Sequence, residues 1–255
     1  MLYAVFSDIH GTDLGRLESE VLQTLKPDVV VCLGDIDTAE SLRQVMELQR
    51  KYPMHVVPGN HDLALSRGYP AISFDAVKRS KAETDAIFDA RREILLRDSA
   101  ATDYLKKIIG NPKLRMVLDE QKFGEMYEAI FLHAALAGDL TTTDDYVKGM
   151  PEADLWHRLL SENDHRQNFE VMEEMGFRVM VRGHDGAEFA YRDPTGNIST
   201  SRLLRCYTID PLGFQTVTVG PYKEGHYAVI DTNFPGRGMP VVSLRKLPDP
   251  QIIFS

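Results

Sequence analysis

The chain has 255 residues, of which 43% are hydrophobic and 26% are charged, as in an ordinary soluble protein. No run approaches the roughly 20 apolar residues that a membrane helix needs, so we expect no membrane partner. The formal charge of −9 argues against a long nucleic acid as the main partner, because phosphate backbones are bound by clustered Lys and Arg. It does not exclude a small phosphorylated substrate, since divalent ions can reverse the sign of the field in a pocket.

The two cysteines indicate a reducing compartment. Cys32 and Cys206 each lie in a strand-like run, and we expect both to be buried as small hydrophobic residues. No signal peptide is visible at the N-terminus, because the chain enters a strand directly. The expected location is therefore the cytoplasm.

The N-terminal part of the chain alternates strands with amphipathic helices. We expect strands at 2–7, 28–33 and 54–57, all short apolar runs. The first helix would be capped by Thr12 or Asp13 and stopped by Pro27; the second would extend from Ala39 to Lys51. This βαβαβ order predicts parallel strands joined by right-handed crossovers.

Residues from about 64 to 126 interrupt this alternation. The stretch from Lys78 to Gly110 is highly charged and helical in period, with a narrow apolar stripe that needs a surface to pack on. We interpret it as a helical insertion in a single domain of residues 1–255 rather than as an independent domain. Because it lies between two ligand-bearing strands, it could form a cap over the site.

The second half of the chain changes from mixed to all-β character. Strands are expected at 127–132 and 177–182, with a polar loop at 140–154 and a helix at 162–176 between them. From about residue 187 onward, short runs are separated by turn signals. We expect these runs to form a second, mostly antiparallel sheet.

Metal-ligand side chains recur where the predicted strands end. In an open α/β sheet, ligands bind in the crevice outside the carboxyl ends of the strands. Six such side chains form an oxygen–nitrogen set without thiolate: Asp8, His10, Asp35, Asn60, His133 and His184. This set suits manganese, iron(II), zinc or nickel, and six donors are enough for two ions.

Each donor also has a purely structural interpretation when it is considered alone. Asp8 and His10 could shape a strand-to-helix turn, and Asp35 or Asp62 could cap a helix. The pair Asp185-Gly186 is also a type I′ hairpin signal between two strand-like runs. The recurrence of all the donors in order favours the metal site.

Five blocks of the sequence resemble the signature of the calcineurin-like metallophosphoesterase superfamily: Asp8-x-His10, Gly34-Asp35, Gly59-Asn60-His61-Asp62, His133 and Gly183-His184. The β-rich tail is similar to that of the small prokaryotic phosphodiesterase-like branch, although the Asn-Pro-Gly-Ser of that branch is absent. The resemblance implies an α/β fold, a four-layer α-β-β-α sandwich of two mixed sheets flanked by helices. The metal centre would lie at one end of the two sheets.

The resemblance also implies a role for each residue of the site. One ion would be held by three residues, Asp8, His10 and Asp35. The second ion would share Asp35 as a bridge and would take the remaining ligands, Asn60, His133 and His184. His61 would serve the leaving group as general acid, or would donate to a phosphoryl oxygen. A hydroxide bridging two divalent ions, manganese foremost, would attack phosphorus in line without a covalent enzyme intermediate.

The region of His184 departs from the family pattern. Many members have a second histidine two residues later, where this chain has Gly186, so water or an acid such as Asp185 would complete the first metal site. Arg182 adjoins this block and could bind phosphate, or could simply pack or pair at the strand end. Four further side chains could face a substrate: Trp156, His157, Arg158 and His165.

The partner that orients His61 is left open by a second departure. Protein phosphatases have an acid followed by Arg at the positions where this chain has Thr38 and Ala39. The orienting acid is therefore either Asp37 or Asp62. The missing Arg also weakens the case for a protein phosphatase.

We therefore expect a metal-dependent phosphoester hydrolase, a phosphodiesterase or phosphomonoesterase acting on a small phosphorylated or nucleotide-type substrate. The alternatives among enzymes are a dinucleoside polyphosphate hydrolase and a protein phosphatase. An alternative of another class is a non-catalytic metal-binding scaffold for protein interactions. The presence of His61 beside all six ligand positions argues against the scaffold, because a scaffold needs no general acid. The sequence does not predict the oligomeric state.

Overall fold

Two mixed six-stranded sheets form the centre of the computed structural model, which describes residues 1–67, 81–110, 114–117, 128–136, 158–232 and 240–248. Sheet A has the strand order β3-β2-β1-β11-β12-β9, and sheet B the order β4-β5-β6-β10-β7-β8. The strands are β1 Leu2–Phe6, β2 Val29–Cys32, β3 Met54–Val56, β4 Leu114–Val117, β5 Glu128–Leu132, β6 Val179–Arg182, β7 Glu188–Arg192, β8 Ile198–Ser201, β9 Cys206–Thr208, β10 Phe214–Thr218, β11 His226–Asp231 and β12 Val241–Lys246.

Helices cover the outer faces of both sheets. Helix α1 has a π-helical part and an α-helical part, Leu17–Leu22 and Gln23–Leu25. The others are α2 Ala39–Lys51, α3 Asn60–Arg67, α4 Lys81–Leu96, α5 Ser99–Ile109 and α6 Glu162–Glu174. Helix α2 begins after Thr38, whose hydroxyl accepts a hydrogen bond from the Ser41 amide. No described helix is long and apolar enough to span a bilayer.

The alternation of side chains along β1 divides the core into layers. Ala4 and Phe6 point outward into a cluster shared with α1, α2 and α5, whereas Tyr3 and Val5 point into the space between the sheets. A third cluster joins the outer face of sheet B to α6, through residues such as Phe169. The molecule is thus a four-layer α-β-β-α sandwich, and the predicted fold class is confirmed.

The predicted parallel βαβαβ unit is present at the edge of sheet A. Strands β1, β2 and β3 are parallel neighbours, and β11 pairs with β1 in the antiparallel direction. In sheet B, β5, β6 and β10 are parallel. Because these parallel strands run into one end of the sandwich, the residues that follow them are brought together there.

The prediction that the C-terminal strands form a separate sheet is wrong. Strands β11, β12 and β9 extend sheet A beyond β1, whereas β10, β7 and β8 extend sheet B beyond β6. Each half-sheet built by the earlier strands has an open edge of unpaired backbone groups, and the tail pairs with both edges. The hairpin interpretation of Asp185-Gly186 is wrong for the same reason, since β10 lies between β6 and β7.

The segment from 64 to 126 contains a strand as well as helices. Helices α4 and α5 are separated near Asp98, whose side chain caps α5 by accepting from the Ala101 amide. Strand β4 pairs with β5 at the edge of sheet B, a pairing that helical periodicity did not predict. Residues 68–80, 111–113 and 118–127, and the predicted loop at 140–154, lie outside the described residues.

One of the two cysteines is not where we expected it. Cys32 is fully buried in β2, but Cys206 is exposed on β9, with its sulfur 3.0 Å from the Ser243 hydroxyl. Strand β9 is the outermost strand of sheet A, so only part of it is covered. Its buried side chain is the next one along, Tyr207.

Candidate metal centre

The candidate centre lies where strands of both sheets end side by side. The loops after β1 and β2 are joined by backbone hydrogen bonds, from Asp8 N to Gly34 O (3.0 Å) and from His10 N to Asp35 O (2.9 Å). The two sheets are joined by the His184 amide, which donates to Asp8 Oδ2 at 2.9 Å. All six predicted ligands and His61 are brought to this one end of the sandwich.

The backbone at these strand ends is left-handed. Five site residues have a positive φ: Asp8 (54°), His10 (46°), Asp35 (55°), Asp37 (45°) and His184 (67°). Outside the site, Lys26 is the only other described non-Gly residue with this conformation. Asp and His tolerate it better than most residues, yet each instance costs on the order of 1 kcal/mol. The fold tolerates this cost because the tight turns direct the five side chains into one space.

Two glycines are required by the close approach of neighbouring loops. A Cβ on Gly59 would overlap Asp35 Oδ1 and would lie 2.9 Å from His133 Cε1. A Cβ on Gly183 would overlap the Ser7 hydroxyl and would lie 2.8 Å from Asp8 Oδ2. The glycines that flank the donors in the sequence therefore leave room for the donor side chains.

The buried half of the centre brings lone pairs together. His133 Nδ1 lies 2.6 Å from the carbonyl oxygen of Leu33, which can only accept, so Nδ1 carries the proton. His133 Nε2 then presents a lone pair 2.8 Å from Asn60 Oδ1, 3.1 Å from His184 Nδ1 and 3.4 Å from Asp35 Oδ1. Ligand atoms of Asp8, Asp35, His133 and His184 all lie within 4.8 Å of one another. Such an arrangement of acceptors fits a cation.

The buried side chains of this half have the protonation states of metal ligands. Burial and, to a smaller extent, the neighbouring His133 together lower the pKa of His184 to about 2, so the imidazole is neutral. Burial raises the pKa of Asp35, but the surrounding histidines outweigh burial and hold it well below its usual range. Asn60 is fully buried, and its Nδ2 has no hydrogen-bond partner in the part of the chain that the structure describes. Neutral imidazole and ionised carboxylate are the forms that bind divalent ions.

The other half of the centre is more exposed. His10 Nε2 lies 3.5 Å from Asp35 Oδ2 and 3.8 Å from Asp8 Oδ1, and its side chain is 17% exposed. His10 Nδ1 lies 3.0 Å from Asp37 Oδ2. A carboxylate on the far nitrogen of a histidine orients the ring and makes the other nitrogen a better ligand. The contact with Asp37 therefore orients the His10 ring, with Nε2 toward Asp8 and Asp35.

His61 is held beside the centre by its backbone and its ring. Its amide donates to Asp35 Oδ1 at 3.0 Å, and its Nδ1 lies 3.1 Å from Asp37 Oδ2. Its Nε2 is 3.9 Å from Asp35 Oδ2, and its side chain is 20% exposed. Burial lowers the pKa of His61, but the negative charge of Asp35 and the hydrogen bond with Asp37 outweigh burial and raise it. A proton on this ring is thus held close to the candidate ions.

The choice between Asp37 and Asp62 is decided by the hydrogen bonds. Asp62 is fully buried and accepts from three backbone amides, those of Ile36 (2.9 Å), Asp37 (3.0 Å) and Gly59 (2.8 Å). It therefore joins the loop after β2 to the loop after β3. Asp37, and not Asp62, contacts the His61 ring.

Helix α4 contributes two side chains that the sequence did not indicate. Arg91 Nη1 donates to Asp37 Oδ2 at 2.7 Å, and the Phe88 ring lies edge-on to the His61 ring at 5.2 Å. They are three residues apart and so lie on one face of the helix. In the sequence, Arg91 is one of many charged residues in a highly charged stretch, and only its spacing from Phe88 could have singled it out.

Arg182 and Asp185 form a pair next to the buried half. Arg182 is 1% exposed and donates to Asp185 Oδ2 (2.6 Å) and to the Thr218 hydroxyl (3.1 Å), which favours pairing at the strand end over phosphate binding. The other oxygen of Asp185 accepts from Arg158 at 3.1 Å. With both oxygens engaged by guanidinium groups, Asp185 is poorly placed to complete the first metal site.

The four further candidates for substrate contact separate into three cases. Arg158 is 45% exposed beside Asp185 and can be reached from solvent. His165 is buried and lies 3.0 Å from Glu188, which argues against contact with a substrate. Trp156 and His157 lie outside the described residues.

Comparisons with known proteins agree with this geometry. Residues 1–117 match the model of the calcineurin-like phosphoesterase superfamily domain. A metallophosphoesterase from Sphaerobacter thermophilus has a similar structure (TM-score 0.59, 17% identity) over 97% of this chain and 88% of its own. A hypothetical protein from Pyrococcus horikoshii is similar over 98% of this chain and 89% of its own (TM-score 0.60, 12% identity). No curated protein sequence matched the chain.

The matched region contains the loops after β1, β2 and β3, which carry Asp8, His10, Asp35 and the Gly59–Asp62 block. The remaining donors, His133 and His184, are added by strands of sheet B in the fold that the solved structures share. Residues 1–117 therefore resemble the calcineurin-like phosphoesterase superfamily domain, and the chain as a whole shares the fold of these solved structures.

Proposed function

We propose that the centre holds two divalent ions and that Asp35 is shared by both. One ion would take the buried donors, Asp35, Asn60, His133 and His184. The other would take Asp8, Asp35 and the more exposed His10. The shared role of Asp35 is supported by two groups of neighbouring ligand atoms, one formed by Asp8, Asp35, His133 and His184 and the other by His10, Asp35 and His61. Asp8 is assigned to the second ion because its Oδ1 lies 3.8 Å from His10 Nε2. Oxygen and imidazole donors suit manganese foremost, with iron, zinc or nickel as alternatives.

A divalent pair supplies a nucleophile at neutral pH and neutralises the oxygens of a phosphoryl group. The residues of this chain would do the rest. His61 would transfer a proton from Nε2 to the leaving oxygen, while Asp37 holds Nδ1 and so fixes the direction of the ring. Water would attack phosphorus in line, opposite the leaving group, without a covalent enzyme intermediate.

The substrate we propose is a small phosphorylated or nucleotide-type ester, cleaved as a diester or a monoester. The exposed Arg158 offers a positive charge for a phosphate beside an otherwise acidic site. Arg182 stays a weaker candidate, because its guanidinium is buried and already paired.

The observation that carries the proposal is the convergence of histidine nitrogens and carboxylate oxygens around Asp35. The test is to load the protein with manganese, measure the metal by mass spectrometry, and assay bis-p-nitrophenyl phosphate and p-nitrophenyl phosphate. We expect about two ions per chain and turnover of at least one ester. Full loading without turnover of either would indicate a metal-binding scaffold instead.

A second panel refines the substrate class. Diadenosine tetraphosphate tests for a dinucleoside polyphosphate hydrolase, and a phosphopeptide tests for a protein phosphatase. A specificity constant for either that exceeds those for small diesters and monoesters by more than about 10-fold would replace the proposed substrate, since such a ratio corresponds to about 1.4 kcal/mol of transition-state binding. The variant Asp89→Ala, which changes an exposed carboxylate on α4, serves as the control for handling and purity.

A further inference from the structure

We infer that Arg91 of helix α4 is a positioning residue that acts through Asp37 on the orientation of His61. This inference rests on the proposed function for its catalytic meaning. Its structural part, the dependence of the Asp37–His61 contact on Arg91, can be measured without any metal.

One carboxylate oxygen of Asp37 is crowded by hydrogen-bond donors. Asp37 Oδ2 is contacted by three nitrogens: His10 Nδ1 at 3.0 Å, His61 Nδ1 at 3.1 Å and Arg91 Nη1 at 2.7 Å. The other oxygen, Oδ1, is buried and has no hydrogen-bond partner among the described residues. The orientation of this carboxylate therefore depends on the balance of three donors on one side.

Arg91 is the strongest of these donors. It makes the shortest contact, and a guanidinium keeps its charge at every physiological pH, whereas an imidazole does not. Asp37 is 1% exposed, so water cannot readily replace a lost partner. Removing the charged partner of a buried carboxylate leaves it poorly compensated, and the Asp37 side chain is expected to rotate.

The guanidinium is itself held in place. Arg91 lies over the Phe88 ring at 5.7 Å, and the Phe88 ring packs against His61 at 5.2 Å. Phe88 is buried, and the Arg91 side chain is 31% exposed. One face of α4 thus contacts both the His61 ring and the carboxylate that directs it, and Nη1 points at Asp37.

The kinetic test compares Arg91→Ala and Arg91→Lys with the control Arg92→Ala, which changes the next residue on α4. At saturating manganese, we expect kcat for Arg91→Ala to fall by about 10- to 100-fold, the range for loss of an outer-shell partner. KM should change by less than about 2-fold, since Arg91 does not bind substrate in this proposal. Arg91→Lys should recover part of kcat, and Arg92→Ala should match the wild type.

A double variant separates positioning from a general structural role. In the His61→Ala background, at a manganese concentration that keeps the His10 site loaded, Arg91→Ala should cause little further loss, because its remaining effect is exerted through His61. Fully additive losses, a change confined to KM, or wild-type kinetics for Arg91→Ala would each overturn the inference. A thermal melt of each variant identifies any that fail to fold, and Arg91→Lys then carries the test.

The readout without metal is a crystal structure of Arg91→Ala in the metal-free state. We expect the distance between His61 Nδ1 and Asp37 Oδ2 to exceed hydrogen-bonding range, with the Asp37 carboxylate rotated. An unchanged contact would refute the inference even if the wild type were inactive. If the wild type were loaded with two ions and inactive, the proposed function would fail while the structural result would stand on its own.

Discussion

The two halves of the centre differ in what holds their ligands. In the buried half, His133 is fully buried and His184 is 9% exposed, and the backbone carbonyl of Leu33 at the end of β2 fixes the His133 ring. In the other half, the side chains of His10 and His61 are 17% and 20% exposed. Both of these rings depend on the single carboxylate of Asp37, which in turn contacts helix α4.

This difference indicates that the two halves bind their ions differently. The buried half is preorganised by strand ends that the core holds rigidly, so it should bind its ion tightly. The exposed half is organised by side chains that meet substrate and solvent, so it should bind its ion more weakly and respond more to nearby changes. Four sets of substitutions test whether the two halves differ in this way, in decreasing order of the effect we expect.

Asp35→Ala should remove the ions from both halves of the centre. Asp35 contacts ligand atoms of both, with Oδ1 3.4 Å from His133 and Oδ2 3.5 Å from His10. We expect loss of both ions, measured by mass spectrometry after dialysis, and loss of measurable turnover. Retention of two ions per chain would refute the shared role of Asp35, and Asp89→Ala should retain both.

His184→Ala and His10→Ala should separate the halves. Titration of the metal-free protein with manganese in a calorimeter should show a tight step and a weaker one. His184→Ala should weaken the tight step by more than about 100-fold, because a direct ligand matters more than the outer-shell partners that are worth about 10- to 100-fold. His10→Ala should remove the weaker step and leave the tight one. The reverse pattern would contradict the assignment.

His61→Ala should leave both ions in place and reduce turnover. General acid catalysis contributes about 100-fold or more, and kcat should fall by that amount. The loss should be larger for an alkyl or phenyl leaving group than for p-nitrophenol, which leaves without help. Loss of an ion would show that His61 is a ligand, as its closeness to His10 and Asp35 also permits.

The smallest expected effect is on the pH dependence of folding without metal. Burial and His133 lower the pKa of His184 to about 2, so its stabilising contribution is present above its ordinary pKa of about 6.5 and is lost as the pH falls. By pH 5 the loss is on the order of 2 kcal/mol. His61 has the opposite sign: although burial opposes it, the charge of Asp35 raises its pKa, so its contribution is present below about 6.5 and is lost as the pH rises through the folded-state pKa.

Urea unfolding at pH 7 and pH 5 in a chelator measures this difference. Between these pH values, His184→Gln should lose less stability than the wild type, and His61→Gln should lose more. Equal losses in the two variants would mean that the two halves do not differ in their electrostatic environment. An exposed histidine variant such as His55→Gln controls for the general effect of pH.

Much of the fold and of the donor set could be predicted because both depend on local patterns. The short apolar run at residues 2–7 predicted a buried strand, and the recurrence of donors after such runs predicted their meeting at one end of the sandwich. The failures have a common cause. The pairing of β7 with β6 or with β10 depends on which sheet edges the other strands leave open. The burial of Cys206 depends on the same thing.

The amino-acid sequence by itself determined which side chains follow which strands, since a short apolar run and the turn after it are local properties. Only the tertiary structure decided that Asp37 and not Asp62 faces His61, and that Arg91 reaches the same carboxylate from 54 positions away. The orientation of a buried carboxylate depends on all the donors that surround it. The donors around Asp37 are brought together by the packing of α4 against the sandwich.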